Sequence, residues 1–192
     1  MLKEEVPWIE TISGRYVNPL NLQDSDICIE DIAQPLSQIC RFNGQCSRFY
    51  SVGQHSIHVA DMVGSKLLET YKEGILIPEH NRTCLAALLH DASEAYTNDI
   101  NRPVKYAVKG FKEIDNIITG KIMKHFGCVG ADWDLIKKMD NVMLATEAYS
   151  LMKSKGEGWY LPEPRSASDI PESAPGQILD IFMKKFYKFG GR

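Results

Sequence analysis

The sequence predicts an all-α domain that opens with a short β-hairpin. From residue 31 onward, apolar residues recur three and four positions apart, which is the spacing of one face of an α-helix. Strand-like residues occur near the N-terminus, at 8–12 and 15–17, and Ser13-Gly14 between them suits a tight turn. Pro19 then marks a loop before the first helix.

Several segments carry the helical pattern, and residues typical of helix ends bound some of them. Ser51 followed by Gln54 is a capping-box signature at the start of the second segment. Pro78 suits the first turn of the third, which Asn98 and Pro103 would end. The predicted helices cover 31–40, 51 to at least 67, 78–96, 111–126, 133–153 and 177–189.

The second half of the chain contains one long segment without helical periodicity. Gly127 ends the helix before it, and Asp132 can cap the next one. Residues 153–176 are rich in glycine and proline, so no regular structure is predicted there. Trp159-Tyr160 within this loop could either cover a pocket as a lid or pack on the domain.

Length and composition narrow the class of protein. A chain of 192 residues fits one domain spanning 1–192. The 22 lysines and arginines against 25 acids give a net charge of −3, so we expect no nucleic-acid partner. No apolar run approaches the ~20 residues of a membrane helix, and no signal peptide is evident. The five cysteines lack a Cys-x-x-Cys pair, which favours reduced thiols in a cytoplasmic protein.

The sequence around His90 places polar groups on an apolar helix face. His90-Asp91 directly follows Leu88-Leu89, and Glu94 comes one predicted helical turn later. Burying an imidazole and carboxylates on such a face is unfavourable unless a partner satisfies them. A divalent cation would do so, because it accepts several lone pairs at once.

Two further helices repeat this arrangement. His55 and Asp140 each occupy a position where the apolar stripe of a predicted helix would otherwise hold a leucine. Together with the His-Asp pair they form a mixed nitrogen and oxygen donor set that suits Mn, Fe, Co, Ni or Zn. Taken singly, His55 could be an ordinary helix-end histidine, and Asp140 could cap a helix or pair with Lys137 or Lys138.

The spacing of these residues resembles the His…His-Asp…Asp motif of the HD-domain metal-dependent phosphohydrolases. Residues 90–105 are similar to the corresponding stretch of bacterial 5′-deoxynucleotidases of that superfamily. Residues 27–56 and 141–147 resemble phage and prophage members of the same branch. The resemblance covers a core at 8–150 and implies an HD-domain helical bundle.

The resemblance also implies roles for individual residues. Glu94 would be the acid/base residue beside the attacking water, and Arg41 would bind the substrate phosphate. Asp99 would contact a sugar hydroxyl or assist catalysis. The sugar would lie beside Phe42, where several relatives carry tryptophan. Pro103 and Lys105 would line the base and phosphate side of the pocket, and a divalent transition metal would be held by His55, His90, Asp91 and Asp140.

These roles make hydrolysis of a nucleotide phosphate the expected reaction. A divalent metal acidifies water and neutralises phosphoryl charge, a carboxylate can act as general base, and the arginine fork matches phosphate oxygens. We expect a 5′-deoxynucleotidase that converts deoxynucleoside 5′-monophosphates to deoxynucleoside and phosphate. The alternatives are a triphosphohydrolase acting on deoxynucleoside triphosphates such as dATP, a non-catalytic nucleotide sensor, and a structural metal protein. Relatives often dimerise, so a homodimer or larger homo-oligomer is expected, with the C-terminal helix as a candidate interface.

Several residues keep an ordinary structural interpretation beside the functional one. Asp99 could merely cap the next short helix, and Lys105 could be a solvated lysine. His58 lies one turn after His55, and we expect it near the metal centre without being a ligand, or on the surface. His80 and His125 lie near predicted helix ends and are expected to be solvated.

Overall fold

The computed structural model describes residues 7–72, 77–166 and 169–192. It begins with the predicted hairpin: β1 (Ile9–Glu10) pairs antiparallel with β2 (Tyr16–Val17). Gly14 supplies the turn between the strands, and its φ of 78° is a backbone conformation that glycine adopts without strain. The hairpin expectation is confirmed, with shorter strands than predicted.

Helices are the remaining regular structure of the described fold, and the all-α prediction is confirmed. Three short 3₁₀ turns lie at Pro19–Asn21, Asp24–Asp26 and Arg41–Gly44. The α-helices are α1 (Ile29–Gln38), α2 (Val52–Tyr71), α3 (Pro78–Leu88), α4 (Glu94–Thr97), α5 (Arg102–Ala107), α6 (Phe111–His125), α7 (Trp133–Leu151) and α8 (Pro175–Lys188). None of the helices in the described ranges combines the length and apolarity needed to cross a membrane.

Helix α2 is the centre of the bundle and packs against α1, α3, α7 and α8. Ser51 caps it by accepting a hydrogen bond from the Gln54 amide at 3.0 Å, as the capping signature predicts. Gly53 in its first turn allows a close approach of α1, because a Cβ there would lie 3.0 Å from the carbonyl oxygen of Leu36. The start of α2 is therefore packed tightly against α1 and α8, since the same Cβ would lie 3.2 Å from Ile178.

The apolar stripe of the C-terminal helix packs inside the chain. Ile178, Phe182 and Phe186 of α8 are buried, and α8 contacts α1, α2 and α3. These side chains contribute to the core of the described bundle. The stripe therefore offers no free surface, and the expected oligomer stays a prediction.

The helix predicted over 78–96 is wrong, because two helices replace it. Helix α3 ends at Leu88, and α4 begins at Glu94, so His90 and Asp91 lie in a turn. His90 Nδ1 lies 2.8 Å from the carbonyl oxygen of Ala87, which a continuing helix would give to the Asp91 amide. The turn redirects the chain at the residues that carry the His-Asp pair.

Two smaller expectations also need correction. Pro103 does not end a helix but lies in the first turn of α5, where a missing N–H is tolerated. His80 is buried and packs against the ring of Tyr71 at 4.4 Å between centroids, so it is not solvated. His125 is partly exposed and lies 2.7 Å from Asp24.

All five cysteines fall in the described part of the chain and are free thiols.

Candidate metal centre and cavity

Three side chains from α2 and the turn after α3 converge on one point. His55 lies in the first turn of α2 and is fully buried, with Nε2 3.3 Å from His90 Nε2. Asp91 Oδ2 lies 3.4 Å from His90 Nε2 and 3.7 Å from His55 Nε2. The donor atoms of the three residues all lie within 4.8 Å of one another. A cation with bonds of about 2.0–2.2 Å spans such separations, so this cluster could hold a metal ion.

Helix α7 brings Asp140 to the same cluster. Its Oδ1 lies 3.2 Å from His55 Nε2 and 3.9 Å from His90 Nε2. Its Oδ2 accepts a hydrogen bond from Lys137 at 2.7 Å, so the carboxylate faces the imidazoles and also pairs with a lysine. Burial opposes ionisation of Asp140, but the two imidazoles and Lys137 outweigh it and lower the pKa.

The cluster carries buried charge of both signs. Burial raises the pKa of Asp91, but His90, His55 and Arg41 outweigh it, so the net shift is downward. Burial and Arg41 lower the pKa of His55, whereas Glu147 and Asp140 raise it, and the net pKa is about 9. The carboxylates are therefore ionised at neutral pH, as ligands to a cation must be.

Arg41 lies beside the cluster on a turn clamped by main-chain hydrogen bonds. The Arg41 amide donates to the Tyr50 carbonyl at 2.8 Å, and the Val52 amide donates to Ile39 at 3.0 Å. The Arg41 side chain is 11% exposed, and its Nη1 lies 3.3 Å from Asp91 Oδ2. Burial lowers the pKa of Arg41, but Glu147 and Asp91 outweigh it, so the guanidinium stays charged.

Glu147 of α7 is a member of this site that the sequence motifs did not single out for a role. Its carboxylate is fully buried, with Oε1 2.5 Å from His55 Nδ1 and Oε2 3.2 Å from Arg41 Nη2. The signal that could have found it is its spacing, since it lies seven residues after Asp140 and so on the same face of α7.

Glu94, the first residue of α4, lies next to the cluster and is almost fully buried. Its Oε1 accepts a hydrogen bond from Lys105 Nζ at 2.8 Å, so Lys105 is not an ordinary solvated lysine. Its Oε2 is buried and has no hydrogen-bond partner among the described residues. Burial, with help from Asp91 and Asp99, raises the pKa of Glu94 to about 8 despite Lys105.

Asp99 and Phe42 are joined across the site. The Phe42 amide donates a hydrogen bond to Asp99 Oδ2 at 2.8 Å. Helix α5 has Asn101 at its N-cap position, so the alternative in which Asp99 merely caps that helix is wrong. Phe42 has a φ of 56°, a left-handed conformation that is uncommon outside glycine and is held here by this contact.

A cavity of about 840 Å³ opens next to the cluster. Every residue that the sequence analysis placed in the site lines it except His55 and His90. Trp159 also lines it, with its ring 6.2 Å from that of Phe42, whereas Tyr160 is 97% exposed. The cavity has a polar side at the carboxylates and an aromatic side at Phe42 and Trp159. The predicted site residues are thus gathered around one opening.

His58 lies outside the cluster of potential ligands. Its ring stacks on that of Tyr50 with centroids 6.5 Å apart and an interplanar angle of 12°. Burial lowers its pKa. His58 is partly buried, and its stacking on Tyr50 agrees with a role other than ligation.

Comparison with known proteins assigns the chain to a family. Residues 32–126 match the family model described as 5′-deoxynucleotidase YfbR-like. The uncharacterised protein YfdR of Escherichia coli is 32% identical over 182 residues, 93% of each chain. An uncharacterised protein of Rhodobacter capsulatus is 39% identical over 123 residues, 62% of this chain and 58% of that protein.

The helical fold and the His-Asp cluster define a protein of the HD superfamily. The chain belongs to its YfbR-like 5′-deoxynucleotidase family, so the resemblance predicted from the motifs is confirmed. His55, His90 and Asp91 fall inside the matched segment, whereas Asp140 and Glu147 fall outside it.

Proposed function

We propose that this chain is a metal-dependent phosphohydrolase that converts deoxynucleoside 5′-monophosphates to deoxynucleoside and phosphate. The observation that carries the proposal is the His-His-Asp cluster, which lies beside a cavity of nucleotide size with a charged arginine 3.3 Å from one of its carboxylate oxygens. The family membership supports the same class of reaction. The small-molecule nucleotide is the partner that this cavity suits.

The ligands of the metal would be His55, His90, Asp91 and Asp140. They offer two imidazole nitrogens and carboxylate oxygens, a donor set that fits Mn, Fe, Co, Ni or Zn. When bound, such a cation supplies Lewis acidity toward the phosphoryl oxygens and toward water. The arrangement of three protein elements around one point explains why these residues are so far apart in the sequence.

Glu94 would transfer the proton in the reaction. A pKa of about 8 is close to neutrality, which is the range in which a carboxyl group can both accept a proton from water and return it to a leaving oxygen. Oε2 is the atom available for this step, because Oε1 is held by Lys105. Lys105 thereby fixes the orientation of the carboxyl group.

The remaining residues would bind the nucleotide. Arg41 would contact the phosphate, since its guanidinium borders both the cluster and the cavity. Phe42 and Trp159 would contact the sugar and the base on the aromatic side of the cavity. Pro103 also lines the cavity. Asp99 holds Phe42 with Oδ2, which leaves Oδ1 as the atom that would reach a sugar hydroxyl.

A second candidate is hydrolysis of deoxynucleoside triphosphates with release of triphosphate. Arg102 and Lys112 favour it, because both are exposed cations that line the cavity in addition to Arg41. Extra positive charge along the wall suits a longer polyphosphate chain. The same donor set would serve either reaction, because both cleave the ester bond between the α-phosphorus and the 5′ oxygen of the deoxynucleoside.

The test is a substrate panel with product identification. Purified protein is stripped with a chelator, supplied with Mn²⁺, Co²⁺, Ni²⁺, Zn²⁺ or Fe²⁺, and incubated separately with deoxynucleoside mono- and triphosphates. We expect phosphate and deoxynucleoside from the monophosphates, with activity lost in Glu94→Gln and Asp91→Asn. Glu113→Gln, an exposed glutamate on α6, is the matched control and should keep full activity. Release of triphosphate alone would favour the second candidate, and inactivity with every metal would contradict both.

A further inference from the structure

The carboxylate of Glu147 connects two parts of the site that are otherwise separate. Its Oε1 lies 2.5 Å from His55 Nδ1, and its Oε2 lies 3.2 Å from Nη2 and 3.3 Å from Nε of Arg41. The side chain is fully buried, so water does not compete for either oxygen. Oε1 therefore faces the imidazole on α2, and Oε2 faces the guanidinium on the turn at Arg41–Gly44.

The contact with His55 determines which ring nitrogen faces the cluster. A carboxylate oxygen can only accept, so the hydrogen on Nδ1 points at Glu147. Nε2 is then the nitrogen that faces His90, Asp91 and Asp140 at 3.2–3.7 Å, and once deprotonated it would offer its lone pair to a cation bound there. A hydrogen-bonded carboxylate of this kind fixes the tautomer and the ring orientation of a histidine ligand.

The contact with Arg41 fixes the orientation of its guanidinium. Glu147 takes the Nε edge and one Nη2 hydrogen, while Nη1 points toward Asp91 and the cavity. The planar guanidinium cannot rotate without breaking these bonds. The donors that remain are on the side where a phosphate would sit next to the cluster.

We propose that Glu147 is a positioning residue that sets the spacing between the metal centre and the phosphate-binding arginine by holding His55 and Arg41 with its two oxygens. The inference rests on the proposed function for the phosphate, although its effect on His55 concerns metal binding alone. This role requires a buried side chain with two acceptor oxygens, one for His55 and one for Arg41. An amide of the same shape has only one acceptor, so it cannot serve both donors.

The test compares Glu147→Gln and Glu147→Asp with the wild type and with Glu113→Gln as the exposed control. Zn²⁺ affinity is measured by calorimetry, and kcat and KM are measured with a deoxynucleoside monophosphate. We expect Glu147→Gln to weaken Zn²⁺ binding by roughly 10- to 100-fold, as loss of the carboxylate behind a histidine ligand does, and to raise KM. Glu147→Asp keeps both oxygens and should recover part of the affinity.

A spectroscopic measurement separates positioning from general stability. In the Zn²⁺-loaded wild type, the Nδ1 hydrogen of His55 should give an exchange-protected imidazole resonance in ¹⁵N-edited NMR, and it should be lost or shifted in Glu147→Gln. Wild-type Zn²⁺ affinity and KM in a folded Glu147→Gln would overturn the inference, and so would unfolding of both Glu147 variants. Glu147-dependent Zn²⁺ binding in a protein that hydrolyses no nucleotide would overturn the proposed function while supporting the positioning of His55.

Discussion

The carboxylate of Asp99 accepts a hydrogen bond from the backbone amide of Phe42 at 2.8 Å. The two residues are 57 positions apart, so the bond joins the segment between α4 and α5 to the turn at Arg41–Gly44. Phe42 and Asn43 of that turn both have left-handed φ values, 56° and 53°. Asp99 thus stabilises a strained backbone that carries the phosphate-binding arginine of the proposed site.

This contact predicts different effects for two substitutions of Asp99. Asp99→Ala removes the acceptor, so we expect the free energy of unfolding to fall by about 1.5–3 kcal/mol and KM to rise. Asp99→Asn keeps an acceptor oxygen, so its free energy of unfolding and its KM should stay close to the wild-type values. Urea unfolding and steady-state kinetics provide the measurements. If Asp99 acts instead as a proton donor or acceptor, both variants should lose kcat to the same extent.

The raised pKa of Glu94 predicts a pH-dependent stability in the metal-free protein. The folded chain holds the Glu94 proton up to a pKa of about 8, whereas the unfolded chain releases it near 4.5. This contribution to stability is therefore complete below the unfolded pKa and is lost as the pH rises through the folded one. Relative to Glu94→Gln, the wild type should lose stability across this interval.

Urea denaturation in the presence of a chelator, at several pH values between about 5 and 9, measures this difference. The wild type and Glu94→Gln share every other titrating group. The pH dependence of the difference between their free energies of unfolding therefore reports on Glu94. Glu113→Gln, at an exposed position of α6, is the matched control. Parallel curves for Glu94→Gln and the wild type would show that Glu94 titrates normally.

The aromatic side of the cavity predicts a role for Trp159 in recognising the base. Trp159→Ala should raise KM for deoxynucleoside monophosphates by roughly 5- to 150-fold, since contact between a base and an aromatic ring contributes about 1–3 kcal/mol. Deoxyribose 5-phosphate lacks a base, so its KM should not change. The neighbouring Tyr160→Ala is the matched control, because that ring is 97% exposed. Equal effects on both substrates would show that Trp159 supports the fold rather than the base.

The surroundings of one glycine in α2 and one in α6 predict opposite effects for their substitution by alanine. A Cβ at Gly53 would lie 3.0 Å from the Leu36 carbonyl oxygen and 3.2 Å from Ile178, and the backbone oxygen cannot move aside. We expect Gly53→Ala to lower stability by about 1–3 kcal/mol. Gly120 in α6 has no atom within 4 Å of that position, so Gly120→Ala should raise stability by about 0.5–1 kcal/mol. Thermal or urea unfolding of both variants checks the pair, and destabilisation by Gly120→Ala would contradict this account of the packing.

The sequence predicted the elements whose signals are local. Helix α2 followed from the Ser51 cap and its apolar spacing, and α7 followed from the Asp132 cap. The polar residues of the cluster were recognisable because each interrupts an apolar stripe or follows one directly. Such interruptions indicate a partner for the polar group, and they are visible without knowledge of the fold.

The turn at His90-Asp91 could not be predicted in the same way. Residues 88–94 include neither glycine nor proline, so helix propensity alone favours continuation. The break depends on tertiary contacts, among them the bond between His90 and the Ala87 carbonyl. The contribution of Glu147 was also hidden, because it consists of two contacts to residues about one hundred positions away. Patterns along the chain carry no information about such pairings.

Main-chain hydrogen bonds hold the turn at Arg41–Gly44, whereas side chains form the aromatic side of the cavity. The backbone of Arg41 is held by a hydrogen bond to Tyr50 and by the adjoining bond between Val52 and Ile39, while Glu147 holds its guanidinium. The aromatic wall is instead made of side chains from two loops. In the proposed site, replacing those rings would alter contacts with the base and leave Arg41 in place for the phosphate. If the proposed function holds, the nucleobase preference could change by point substitution in the aromatic side chains without any change in the metal ligands.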